Sequence, residues 1–83
     1  MRLQDRLRAI IAEQIKPDDD LPNFADDEDM FVLGVLSSLE ILDLVVSLED
    51  TFGIKVPHFE VVEQNFNSLD AMAAYLEGKG VSG

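Results

Sequence analysis

The chain has 83 residues, 47% of them apolar, with 17 acidic and 6 basic side chains, a net charge of −11 and no cysteine. That is enough for one folded domain with a modest core, and it excludes disulfides, Cys-based metal sites and a thiol nucleophile of the chain's own. The charge argues against nucleic acid and anionic membrane surfaces, which are bound through Lys and Arg.

The basic residues are Arg2, Arg6, Arg8, Lys16, Lys55 and Lys79. None lies between Lys16 and Lys55, whereas eleven of the acids do, so that stretch is wholly negative and favours partners that present Lys and Arg. No apolar run is long enough to span a bilayer, and the N-terminal residues lack the apolar core of a signal peptide. The expected location is the cytoplasm, and the expected state is a monomer without membrane insertion.

In chain order, Leu3, Leu7, Ile10, Ile11 and Ile15 form one apolar stripe and predict a helix over 2–16. Pro17 and Asp18-Asp19-Asp20 stop it. Residues 17–37 read as a long loop with two acidic clusters, Asp18–Asp20 and Asp26–Asp29, and with Gly34. Phe24, Met30, Phe31, Val32 and Leu33 are expected to pin it to the core, with room for a short helical turn. So long a loop in a small domain points to function.

A second helix is predicted over 38–52, with a core stripe of Ile41, Leu44, Val45, Leu48 and Phe52, ended by Gly53 as a C′ residue. Ile54 to Pro57 read as an extended link. Residues 58–64 predict one or two helical turns. A last helix over 68–77 is capped by Asn67 or Ser68, faces Leu69, Met72, Ala73 and Leu76 inward, and has Phe66 as a hydrophobic staple. Residues 78–83 read as a frayed tail. The expected fold is all-α, a small bundle of three main helices and one short one in a single domain over 1–83.

Candidate chemistry gathers at the start of the second helix. Ser37 and Glu40 have the S-x-x-E spacing of a capping box, in which the Ser37 hydroxyl serves the helix backbone. Ser38 is then left with an outward hydroxyl where the helix dipole favours an anionic group. The plainer reading is that both serines are caps. Behind them, Glu40, Asp43, Ser47 and Asp50 form a polar stripe, with Leu39, Leu42 and Val46 beside it and off the core face. This is either a docking surface for a basic partner with an apolar centre or a helix face covered by the loop.

These residues resemble a known family. Leu33-Gly34-Val35-Leu36-Ser37-Ser38-Leu39-Glu40-Ile41-Leu42-Asp43-Leu44 resembles the signature of acyl carrier proteins. Leu48 to Pro57 and Ser68 to Leu76 resemble the segments that follow it in that family. The resemblance implies a four-helix carrier fold of the stand-alone type. It further implies 4′-phosphopantetheine attached to Ser38 by a phosphopantetheinyl transferase that draws on coenzyme A, and a terminal thiol on that arm holding acyl groups as thioesters. It implies partner contacts at Leu39, Glu40, Leu42, Asp43, Val46, Glu49 and Asp50, made to the transferase and to acyl-transferring or synthase enzymes. One position departs from the family, which usually has Asp where this chain has Ser37. The wording Gly-Val-Leu-x-Ser-Leu is closer to D-alanyl, aryl or polyketide-type carriers than to the housekeeping fatty-acid carrier.

Other chemistry is disfavoured. Neither acidic cluster has the glycine and spaced glutamate of an EF-hand loop, so no metal site is expected. His58 follows Pro57 and reads as a surface residue. A Ser38–His58 hydrolase would need an oxyanion hole and an orienting acid that the sequence does not supply. The expectation is a non-enzymatic acyl carrier loaded on Ser38. The alternative is a carrier-like fold that binds partners unmodified, with a membrane-binding amphipathic protein as a remote third.

Overall fold

A computed structural model describes residues 1–17 and 21–82. Among them every regular element is helical. Helix α1 spans Leu3–Ile10 and continues into a π turn over Ile11–Ile15. Helix α2 spans Glu40–Phe52, α3 Glu63–Phe66 and α4 Leu69–Gly78, with a 3₁₀ turn over His58–Glu60 between α2 and α3. The predicted bundle of three main helices and a short one is therefore what folds. The Asp18–Asp20 cluster and residue 83 lie outside the described residues.

The apolar stripes meet in one core. Leu3, Leu7, Ile10 and Ile11 from the first helix, Ile41, Leu44, Val45 and Leu48 from α2, and Leu69, Met72, Ala73 and Leu76 from α4 are all buried. Each fully buried large apolar side chain contributes about 1.5–3 kcal/mol relative to exposure. Phe52 is half-buried, and the Arg6 guanidinium lies 4.7 Å from its ring centroid.

Within the long loop, residues 29–36 hold more regular structure than their composition suggests. Asp29 Oδ1 accepts the Phe31 and Val32 N–H groups, and the Leu33 N–H reaches Asp29 O, which makes one helical turn. Gly34 ends that turn at φ +77°, where the Gly34 N–H donates to Phe31 O and the Val35 N–H to Met30 O. That pair of bonds is a Schellman motif, normally found at the end of a full helix. The turn buries Met30, Val35 and Leu36 and leaves Val32 and Leu33 exposed. Val32 and Leu33 therefore do not pin the loop as expected, because the helical turn aims them outward while Met30 faces the core. Asp26 ties the loop to the first helix through Arg2 and Arg8, each at 3.0 Å, and its carbonyl accepts the Asp70 N–H.

The region after α2 also differs from expectation. The turns expected over 58–64 are split, because Val61 and Val62 are not helical and α3 begins only at Glu63. Phe66 is not a staple for α4. It ends α3, is fully buried and packs against Tyr75, with ring centroids 5.2 Å apart and the rings tilted by 53°. Ser68 rather than Asn67 caps α4, its Oγ accepting the Ala71 N–H at 3.0 Å. Nor do residues 78–81 fray completely. The Gly80 N–H bonds Glu77 O and the Val81 N–H bonds Leu76 O, a second Schellman motif with Gly80 at φ +88°.

Candidate functional site: an exposed serine before α2

The segment before α2 is anchored on one side and capped on the other. Buried Val35 and Leu36, with both amides on Met30 O, hold the chain that leads to the serines. The capping box closes next. The Ser37 N–H donates to Glu40 Oε1 at 2.8 Å, and the Glu40 N–H donates to Ser37 Oγ at 3.3 Å. Ser37 thus satisfies the helix, while Ser38 is exposed and its hydroxyl makes no hydrogen bond among the described residues. Hydrogen-bonded helix begins at Glu40, with Ser38 and Leu39 in the turn that leads into it.

Glu40 is half-buried. Its Oε2 lies 2.9 Å from Lys16 Nζ. Burial opposes the carboxylate's charge, but Lys16 and the Ser37 hydrogen bonds outweigh it and hold the Glu40 carboxyl below its ordinary range.

The outer face of α2 divides in two. Leu39, Leu42 and Val46 are exposed, Leu39 at 81%. Asp43 and Asp50 are exposed beside them and form no ion pair among the described residues. Glu40 and Glu49, by contrast, are already engaged within the chain. Glu49 Oε2 accepts the Val56 N–H at 2.9 Å and so holds the extended link before Pro57. Asp43 and Asp50 keep a free negative charge on this face, since none of the basic side chains with a partner among the described residues pairs with them. Arg2 and Arg8 pair with Asp26, Arg6 stacks on Phe52, Lys16 meets Glu40 and Lys79 meets Glu60.

The structure thus brings Ser38, Leu39, Leu42, Asp43, Val46 and Asp50 to one accessible region. The sequence left room for a helical turn in the loop but did not place it, and it did not disclose the Lys16–Glu40 contact. The one-turn helix at 29–34 has a signal, an Asx cap at Asp29 with glycine five residues on. The Lys16–Glu40 contact has none, since it depends on a π turn.

No group of three or more His, Cys, Asp or Glu side chains among the described residues is placed to hold a metal ion. His58 is exposed, and no hydrogen bond joins it to Ser38 among the described residues. No helix among the described residues is long and apolar enough to cross a membrane.

A family model described as "Phosphopantetheine attachment site" matches residues 5–76. D-alanyl carrier proteins of Streptococcus pyogenes serotype M5 (strain Manfredo) and serotype M49 (strain NZ131) are each 43% identical over 51 residues, covering 61% of this chain and 65% of the relative. The matched stretch is therefore a little under two thirds of the length of these relatives.

Proposed function

Because the chain belongs to the phosphopantetheine-attachment family, we propose that it is a non-enzymatic carrier protein, loaded with 4′-phosphopantetheine on Ser38. The residues present fit that group. Attachment needs an accessible primary alcohol on a fixed turn, and Ser38 offers one because Ser37 already fills the cap. That division of labour between adjacent serines is the observation that carries the reading. The bound group supplies a thiol, which this cysteine-free chain lacks, to hold cargo as a thioester.

The chain's own contribution is presentation. Ser38 Oγ would bond to the pantetheine-side phosphorus of coenzyme A as the pyrophosphate P–O bond breaks and adenosine 3′,5′-bisphosphate leaves, and its proton would pass to a base of the transferase, since no titratable group of this chain hydrogen-bonds that hydroxyl among the described residues. The apolar strip Leu39, Leu42 and Val46, with Asp43 and Asp50, docks enzymes that present Lys or Arg around an apolar centre, with Glu40 and Glu49 supporting that face from within. The protein acts as a monomer in the cytoplasm, where coenzyme A is available. The names of its relatives favour D-alanyl cargo over fatty acyl, aryl or polyketide groups, so the enzymes that load and unload it are those of D-alanine transfer.

Incubation with coenzyme A and a broad-specificity phosphopantetheinyl transferase tests the attachment. Intact-mass measurement should show one phosphopantetheinyl group on the wild-type chain and none on Ser38→Ala. Unmodified wild-type protein would leave the alternative, a binding module that never carries the arm. For the cargo, the loaded protein should accept D-alanine from an adenylating ligase and ATP in preference to L-alanine and fatty acids.

A further inference from the structure

We propose that Lys16 is a positioning residue for modification of Ser38, acting through Glu40, and that the π turn at the end of the first helix is what brings it there. This rests on the reading of Ser38 given above.

In a regular α-helix each residue advances about 100°, so the residue five after Ile11 would sit about 140° around the axis from it. Ile11 is fully buried, and such a lysine would point away from the core. Instead the Lys16 N–H bonds Ile11 O at 2.9 Å, an i to i+5 closure that takes an extra residue into the turn. Lys16 therefore leaves the helix above Ile11, on the side of the π turn that packs on α2. Its side chain is only 19% exposed and its Nζ is 2.9 Å from Glu40 Oε2.

The other oxygen of Glu40 holds the Ser37 N–H, and the Glu40 N–H meets Ser37 Oγ. A continuous path thus runs from Lys16 through the Glu40 carboxylate to the residue bonded to Ser38. Lys16 does two things on it. It fixes the rotamer of Glu40, and it compensates a half-buried negative charge in a chain already at −11. Without it the carboxylate swings toward water and the Ser37 amide loses its acceptor. The turn carrying the Ser38 hydroxyl then samples more orientations, and a nucleophile held less firmly reacts more slowly.

The sign of the effect separates positioning from docking. Neutralising Lys16 makes the chain more acidic, which strengthens attraction to a basic transferase and does not raise KM. A positioning role lowers kcat instead.

The test is steady-state phosphopantetheinylation of the wild type, Lys16→Met, Lys16→Arg and the charge-matched control Lys55→Met, with amide hydrogen exchange of each unmodified protein. Lys16→Met should lower kcat by about fivefold to tenfold, as for the net loss of one ordinary hydrogen bond, without raising KM. Its Ser37 amide should exchange faster while the Met72 amide in α4 stays protected. Lys16→Arg should recover most of the rate, and Lys55→Met should match the wild type. If Lys16→Met loads at the wild-type kcat, or only its KM rises, the proposal falls while the Ser38 reading stands. If the wild-type chain gains no mass, the Ser38 reading falls and takes the proposal with it. Should Lys16→Met lose the protection of α4, Glu40→Gln carries the test, because it keeps an acceptor for Ser37 but breaks the ion pair. A matching loss of kcat supports the proposal and an unchanged kcat overturns it.

Discussion

The Tyr75 hydroxyl donates a 2.6 Å hydrogen bond to Glu60 Oε1, the same oxygen that lies 2.9 Å from Lys79 Nζ. The 3₁₀ turn between α2 and α3 is thereby tied to the last helix. Tyr75 and then Lys79 hold the Glu60 carboxyl below its ordinary value. Burial, with the adjacent carboxylate, pushes the Tyr75 hydroxyl up.

A group whose pKa is lower in the folded than in the unfolded state adds stability above the unfolded value, and this is lost as pH falls through the folded value. The ordinary value for Glu60 is 4.5. In urea titrations, wild-type protein should therefore exceed Glu60→Gln in stability at pH 7, and the gap should close as pH falls below that value. The comparison must be a difference between the two proteins, because acid also relieves self-repulsion in so negative a chain and does so in both. A gap that persists unchanged at pH 3 would mean that the Glu60 charge adds nothing to stability.

Two apolar residues on α2 separate stability from docking. Leu48 is fully buried, whereas Val46, two positions earlier, is 61% exposed. Leu48→Ala should cost about 2–5 kcal/mol, through lost burial and the cavity left behind. That is a large part of the total for a domain of this size. Val46→Ala should change stability by no more than about 0.5 kcal/mol and should instead weaken transfer by partner enzymes. Chemical denaturation of both variants, with loading kinetics for Val46→Ala, checks the pair.

The turn before the serines makes a local prediction. Gly34 sits at φ +77°, and a Cβ there would meet nothing within 4 Å. The penalty of Gly34→Ala is then backbone strain alone, about 1 kcal/mol. Thermal unfolding should show this modest loss. Amide exchange should show it concentrated at Val35 and Leu36, whose N–H groups bond Met30 O across the turn.

What the sequence disclosed and what it hid follow from range. Stripes such as Leu3, Leu7, Ile10 and Ile11, or Leu69, Met72, Ala73 and Leu76, are periodic over many residues, so the core was legible. The Ser37–Glu40 capping box was legible for the same reason, since its partners are three residues apart. The loop was not. Val32 and Leu33 look like anchors by composition, but a single Schellman turn at Gly34 decides which side chains face in, and it buries Val35 and Leu36 instead. The structural tasks of Glu49 and Lys16 were hidden as well. Each depends on where a distant segment lies, the 54–57 link for Glu49 and the π turn for Lys16, and neither position follows from local pattern.

Ser37 offers the sharpest test of how the site is read by its partners. Serine and aspartate are comparable helix caps, so Ser37→Asp should preserve the Glu40 N–H bond and leave stability within about 0.5 kcal/mol. Its added charge is favourable at a helix N-terminus. It also stands next to Glu40, whose carboxylate accepts the Ser37 N–H and pairs with Lys16. The two effects oppose each other within the chain, which is why stability should barely move. A transferase with a basic residue beside the attachment serine feels only the new charge. Its kcat/KM on Ser37→Asp should rise by about two- to fivefold at low salt, as for one exposed ion pair gained, and the gain should shrink as salt screens it. Equal loading of both proteins at every ionic strength would show that the transferase reads the turn and the apolar strip of α2 rather than a carboxylate at position 37.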